Sequence, residues 1–401
     1  MTVTIEKGVA RGRILAPPSK SLAHRNLICA ALSEKSIISG IDFSQDILAT
    51  LDCLKALGAK ITREGSSVTI GGLKPQAAKS CELDCRESGS TLRFISPLCL
   101  LCNEEITLKG SGRLMERPMT VYEELFKEKG IHFYKDNSII KAKGKLKGGI
   151  FKINANISSQ FVSGLLFALP LAENDSIIML DGNIESLSYI HLTLNALKEF
   201  GINIDSSDIR NIKIFGSQKY ISKNVSVEGD YSNAAFFDAL NFIGGSVKVE
   251  GLKEDSIQGD KVYKEIMPLL FKDNAKISLA DCPDLGPILF CLAAIGNGAY
   301  FTDTKRLRIK ESDRVLSMEE ELNKFGVKMD IEENSVRVYS GVKAPKTPLC
   351  SHNDHRIAMA LSVLCTVTGG TITGAQAVSK SLPDFFERLS GLQIKVIKNE
   401  A

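Results

Sequence analysis

One local pattern recurs six times along this chain, and nothing else in the sequence constrains the fold as much. An amphipathic helical stretch runs into a turn residue and then a short β-type run, as in LDCLKALGAKITREGSSVTIGG and MEEELNKFGVKMDIEENSVRVYSG. The turn residues are Gly58, Gly130, Gly201, Asn274, Gly326 and Gly391. Gly and Asn are the residues expected where a helix ends in the left-handed conformation. A second, more apolar helix type is interleaved, with Ser21, Ser90, Ser159, Ser232, Asp284 and Asp354 as markers. Successive gaps are 72, 71, 73, 52 and 65 in the first series and 69, 69, 73, 52 and 70 in the second. Two independent series with one period near 70 indicate six copies of a mixed α/β unit.

Each copy has room for two helices and three or four strands, and six copies divide most simply as three plus three. The chain opens on a β-type run, VTIEKG, while the last copy lacks closing strands. The N-terminal strand is therefore expected to complete the last copy and make one domain discontinuous. The reading is α/β with two similar domains, residues 1–13 plus 229–401 and residues 14–228, with crossings near residues 14 and 228.

Composition narrows the function. Lys plus Arg number 50 against 47 Asp plus Glu, which argues against a nucleic-acid binder held by counterion release. Such a balance still permits a local cationic cluster for a small anion. No apolar run reaches the roughly 18 residues of a membrane span, and MTVTIEKGVARGRIL reads as neither a signal nor a transit peptide. Cytoplasm is the expected compartment. Most of the ten cysteines lie in apolar surroundings, where the thiol behaves as a small core residue. Cys99 and Cys102 have CxxC spacing, but Leu100 and Leu101 between them favour core packing over a metal or redox site.

The starts of the buried helices carry the chemistry. Helix N-termini favour acceptors and anions and mildly disfavour cations, at about 0.3–1 kcal/mol each. Acceptor residues are present at or beside these starts (Ser19, Ser21, Ser88, Ser90, Ser158, Ser159, Asp230, Asp284, Asp354). Yet Lys20, Arg25, Arg93, His355 and Arg356 crowd the same turns, and Lys310 and Arg314 flank Glu311 and Asp313 at a further helix start. A bound phosphate or carboxylate would account for the arrangement, because orphan backbone N–H groups and basic side chains together make an anion site. Arg113 and Arg117 in GSGRLMERPM and Lys380 before SLPDFFERL fit the same site. Gly89 beside Ser90 permits close approach to the backbone. Asp284 and Glu311 are the acid–base candidates, although capping alone explains either one as well.

PPSKSLAHR, ESGSTLRF, GSGRLMERPM, SSQFVSGLL, GDYSNAAFF, CPDLG, RIKESDR, NDHRIAMA and SKSLPDFF follow one another across nearly the whole chain. With these motifs the sequence resembles the EPSP synthase (3-phosphoshikimate 1-carboxyvinyltransferase) family. The resemblance implies two domains of three βαβαββ units each, folded as inside-out α/β barrels, with an active-site cleft between domains. It implies transfer of the enolpyruvyl group of phosphoenolpyruvate to the 5-hydroxyl of shikimate 3-phosphate, with release of phosphate. Lys20, Ser21, Arg25, Ser158, Ser159, Gln160, Ser186, Tyr189, Asp284 and Lys310 then fall on the shikimate 3-phosphate side. Lys20, Gly89, Ser90, Arg117, Gln160, Arg314, Arg356 and Lys380 fall on the phosphoenolpyruvate side. Asp284, Glu311 and Lys20 become the catalytic groups. No metal, cofactor or nucleic acid is implied, and a monomer is expected.

The sequence departs from the family at four positions. Ser90 replaces a usual Thr and keeps the hydroxyl. Glu87 stands for Asn, Arg86 for Gly, and Arg306 for a substrate-binding Asn of some members. Glu87 and Arg306 are not assigned to the site. The rivals are the sister enolpyruvyl transferase acting on UDP-N-acetylglucosamine, the RNA 3′-phosphate cyclases and a non-catalytic repeat scaffold. The sister family uses Lys-Asn where this chain has Lys20-Ser21, and usually a Cys in the loop that here runs from Gly110 to Met119 without one. The cyclases need a nucleotidylated His, and neither His132 nor His191 lies in a suitable motif. A scaffold leaves the repeated cations unexplained.

Overall fold

The structure, a computed structural model, describes residues 1–154 and 158–399. They form two compact bodies, residues 20–228 and residues 1–19 with 229–401. In the first body three four-stranded sheets share one plan. Cys81–Asp84 lies parallel to Ile106–Lys109, which pairs antiparallel with Ile139–Lys143, which pairs antiparallel with His132–Lys135. Gly149–Asn154, Ser176–Asp181, Asn211–Ile214 and Ile204–Asp205 repeat that order. So do Val225–Ser226, Ser36–Ser39, Ser67–Gly71 and Lys60–Glu64. Parallel neighbours need a crossover, and in the first two sheets a buried helix, Gly89–Cys99 or Ser159–Ala168, supplies it.

Apolar patterning puts those helices inside. In Lys20–Leu32 every residue from Leu22 to Ala31 is buried, and Gly89–Cys99 and Ser159–Ala168 are buried almost all round. The sheets alternate instead, as in Gly149–Asn154, where Phe151 and Ile153 face inward and Ile150, Lys152 and Asn154 outward. A helix apolar on all sides belongs in a core and a strand apolar on one side covers it. In the second body the helices Tyr231–Ala239, Gly286–Ile295 and His355–Thr368 pack on one another in the same way. Cys99 and Cys102 lie in the first body's core, and burial pushes the Cys102 thiol up to about 12. They fill space there as small apolar side chains.

The second body holds two four-stranded sheets and one pair of strands. Thr2–Ile5 lies between Gly370–Thr373 and Val396–Asn399 and closes the last repeat. The first chain crossing falls after Ser19, not near residue 14. Arg11–Leu15 is the cause, because it pairs in parallel with Ser246–Glu250 and so belongs to the second body. Its place beside Ser36–Ser39 is taken by Val225–Ser226. The first and fourth repeats have thus exchanged their leading strands.

Two further expectations need correction. The fourth repeat has no closing antiparallel pair of its own among the described residues, which accounts for its spacing of 52. The run after Asn274, Lys276–Ser278, is the leading strand of the fifth repeat and lies parallel to Ala299–Thr302. Gly58, Gly130, Gly201, Gly326 and Asn274 do adopt positive φ. Gly391, however, remains inside the helix Phe385–Gly391, and Gln393 takes the left-handed position.

Candidate active site

The first body gathers its candidate residues around the starts of three buried helices. Ser88 accepts from the Thr91 N–H and Ser158 from the Gln160 N–H, so these two are the caps. Ser90 and Ser159 lie inside their helices instead. The Gln160 side-chain amide joins two helices, donating to Ser90 Oγ at 3.0 Å and accepting from Arg93 Nη1 at 2.7 Å. Arg93 also donates to the Pro118 carbonyl, on the segment that carries Arg117. Arg117 is buried, and its guanidinium lies against the backbone of Gly89. A Cβ at Gly89 would come within 2.6 Å of Arg117 Nη1 and 2.8 Å of its Cζ. Glycine leaves room there for the Arg117 head, with no demand from φ. Gly89→Ala is therefore expected to displace the Arg117 head and weaken binding of a small anion such as inorganic phosphate at least tenfold, read by titration.

Arg25 is built into the core. Its Nε donates to Thr193 Oγ1 at 2.8 Å, and Nη1 and Nη2 donate to the Ser21 and Tyr189 carbonyls at 2.7 and 3.0 Å. Burial pulls its pKa down to about 10, so it remains charged at neutral pH. Lys20 Nζ meets Asp46 Oδ2 at 2.7 Å. Ser186, before the helix Leu187–Glu199, is buried at φ 55° and ψ 43°. That left-handed conformation costs a non-glycine residue about 1–2 kcal/mol, a strain that functional sites commonly hold.

Sequence reasoning missed Asp46, Arg93's role as a bridge, and a buried polar chain beneath them. His24 Nδ1 meets Thr50 Oγ1 at 2.8 Å, Thr50 meets Thr91 at 2.7 Å, and Thr91 donates to Ser88 at 2.7 Å. Burial, with Lys20 and Arg25 nearby, holds His24 well below its usual range, hence neutral. No spacing rule marks these residues, because the contacts join different helices of one repeat, as in His24–Thr50, or different repeats, as in Thr50–Thr91.

The second body concentrates charge around Asp284. Its carboxylate faces Arg314 Nη1 at 2.9 Å, Arg356 Nη2 at 2.9 Å and Lys310 Nζ at 3.4 Å. Arg314 is 1% exposed and also reaches Glu311 at 2.8 Å and Asp354 at 2.8 Å. Capping does not explain Asp284, which sits in the turn Pro283–Leu285 before the helix Gly286–Ile295. Nor does it explain Glu311, since Asp313 caps the helix Arg314–Lys324. Asp354 does cap, accepting from the Arg356 N–H at 2.9 Å. Lys380 Nζ donates to the Asn353 carbonyl at 2.5 Å.

Burial opposes the charge on Asp284, but Arg356, Lys310 and Arg314 outweigh it and hold the carboxyl well below its usual range. Asp260 shares this patch, was absent from the sequence reading, and goes the other way. Burial and the Asp284 charge push it up to about 7, against the pull of Arg356. Burial likewise draws Lys310 down to about 8, with Asp284 restoring part and Arg314 opposing it. Arg306 is buried near Lys310, and Glu87 lies against Gly112. Arg86 adopts a left-handed φ of 50° and holds Asp52 at 2.8 Å.

Both groups present fixed cations beside backbone N–H groups at helix starts, and the second adds carboxylates within reach of them. Such an arrangement suits an enzyme that holds small anions, with carboxyl groups placed to exchange protons with what is bound. The EPSP synthase (3-phosphoshikimate 1-carboxyvinyltransferase) family pattern matches residues 6–389. The 3-phosphoshikimate 1-carboxyvinyltransferase of Clostridium beijerinckii is 40% identical over 97% of this chain and 96% of its own length. That of Clostridium kluyveri is 38% identical over 97% of each. An EPSP synthase structure from Acinetobacter baumannii superimposes with a TM-score of 0.79 at 22% identity, covering 100% of both chains, and so speaks for the fold. The chain belongs to the EPSP synthase family.

Proposed function

We propose that this protein transfers the enolpyruvyl group of phosphoenolpyruvate to the 5-hydroxyl of shikimate 3-phosphate, giving 5-enolpyruvylshikimate 3-phosphate and phosphate. The observation that carries this reading is Asp284 held among Lys310, Arg314 and Arg356, with Glu311 on the same arginine. Asp284 takes the proton of the attacking hydroxyl, with Lys20 as a relay. Glu311 gives a proton to the methylene carbon, and a tetrahedral intermediate forms. The same two groups reverse roles as phosphate leaves.

Charge balance supports that division. Arg314, Arg356, Arg117 and Lys380 are assigned to the carboxylate and phosphate of phosphoenolpyruvate, with Gly89, Ser90, Gln160 and Lys20. An anion competing for Arg314 and Arg356 removes counter-charge from Asp284 and Glu311. Their proton affinity then rises at the moment a proton must be held. The fixed cations stabilise the developing charge directly. Lys20, Ser21, Arg25, Ser158, Ser159, Gln160, Ser186, Tyr189, Asp284 and Lys310 are assigned to shikimate 3-phosphate. The reaction thus draws on both bodies, acting as two domains of a monomer in the cytoplasm. Among the described residues no helix is long and apolar enough to cross a membrane.

Purified protein mixed with both substrates should release phosphate one for one with enolpyruvyl product. UDP-N-acetylglucosamine in place of shikimate 3-phosphate should give none, and the reverse result would refute the reading. The pH dependence adds a sharper test. With Lys310 at about 8 in the folded protein, kcat/KM for shikimate 3-phosphate should fall above pH 8 as its charge is lost. Stability should move oppositely, since the unfolded chain holds that proton up to about pH 10.4 and the native one does not. Between those values Lys310 therefore favours the fold increasingly as pH rises. Melting curves of wild type and Lys310→Met across pH 7–10 read the stability limb, and initial rates read the other.

A further inference from the structure

The helix Arg314–Lys324 grips the segment Cys350–Asp354 at two points. Arg314, at its first turn, holds Asp354 through Nε at 2.8 Å. Glu321, seven residues on, is fully buried. It accepts from the Cys350 N–H at 2.9 Å and meets His352 Nε2 at 2.8 Å. Seven residues are two helical turns, so both grips lie on one face about 10 Å apart. Between them His352 and Asn353 are both left-handed, at φ 50° and 55°. Consecutive left-handed non-glycine residues persist only where surroundings over-determine them. The Asn353 carbonyl between the grips is the one that seats Lys380.

Glu320, Glu321 and His352 would pass for a cation site by residue type. The Lys324 ammonium, however, sits on both Glu321 oxygens at 2.9 and 3.1 Å. The cluster is already charge-paired and its output is mechanical.

We propose that Glu321 is a positioning residue for phosphoenolpyruvate binding, rigidly holding the His352–Asn353 turn so that Lys380, Arg314 and Arg356 keep their places. This rests on the assignment of those cations to phosphoenolpyruvate. Glu321 touches no reacting group and acts through the turn. Its loss should let the two residues relax towards ordinary φ and swing the Asn353 carbonyl away from Lys380.

Glu321→Gln keeps the shape and removes the charge. It should raise the phosphoenolpyruvate KM tenfold or more and leave the shikimate 3-phosphate KM within twofold. His352→Ala should do the same more weakly, and His352→Gln, which retains a donor to Glu321, should restore most of the loss. Leu322→Val, a buried neighbour on the same helix, controls for lost stability and should shift neither constant selectively. Hydrogen exchange at the Ser351–Asp354 amides reads the grip without any substrate, and should quicken at least tenfold in Glu321→Gln. Unchanged exchange, or both KM values rising together as in a merely destabilised variant, overturns the proposal. Absence of wild-type turnover on these two substrates would instead refute the functional reading, and the exchange result would still decide the role of Glu321.

Discussion

Arg314→Ala should leave a protein with no measurable turnover and a stability lower by about 3–5 kcal/mol, the range for breaking a buried ion pair by removing one partner. Arg314 is among the most deeply buried cations described and meets three carboxylates at once. Asp354, fully buried, would lose its counter-charge while still capping the helix His355–Thr368. Arg314→Lys separates the two effects. One ammonium keeps the charge but cannot reach Asp284, Glu311 and Asp354 together, because the planar fork is what spans them. It should recover most of the stability and little of the activity. Denaturant unfolding and phosphate release measure the two, and full activity in Arg314→Lys would show that charge alone suffices.

Glu311→Gln should behave differently, reducing turnover by two or more orders of magnitude while shikimate 3-phosphate still binds. A positioned general acid contributes typically 10²–10⁴ in rate. The amide can still accept from Arg314 at the 2.8 Å separation seen for the carboxylate, so the surrounding geometry should hold. Titration calorimetry with shikimate 3-phosphate gives the binding arm and phosphate release the kinetic one. Wild-type turnover in this variant would remove Glu311 from proton transfer. Weakened binding with unchanged turnover would place it among the ligand contacts instead.

How much of this was legible in the sequence depended on distance along the chain. The six-fold recurrence and its buried helices were plain, because each repeat records its own period. The exchange of Arg11–Leu15 for Val225–Ser226 was not, since a strand's pattern shows which side is apolar and not which strand lies beside it. The cations at helix starts stood out because they break a local preference. Their carboxylate partners did not, for Lys20–Asp46 and Arg314–Asp354 join residues 26 and 40 positions apart. Asp284 and Glu311 looked equally like caps until their neighbours were known. Glu321 and His352 lie in no motif, and Asn353, which opens NDHRIAMA, gives no sign in the sequence of the left-handed pair it forms with His352.

The chain's crossings are fastened to each other, with the Asp230 N–H donating to the Pro17 carbonyl at 2.7 Å and Pro18 bridged to Gly229. Residues 20–228 therefore leave and rejoin the rest at a single seam, as an inserted phrase sits inside a sentence. Recombination between genes of this kind inherits the rule. One breakpoint inside the insertion hands on a severed body, whereas two breakpoints near codons 19 and 229 transfer the enclosed piece whole.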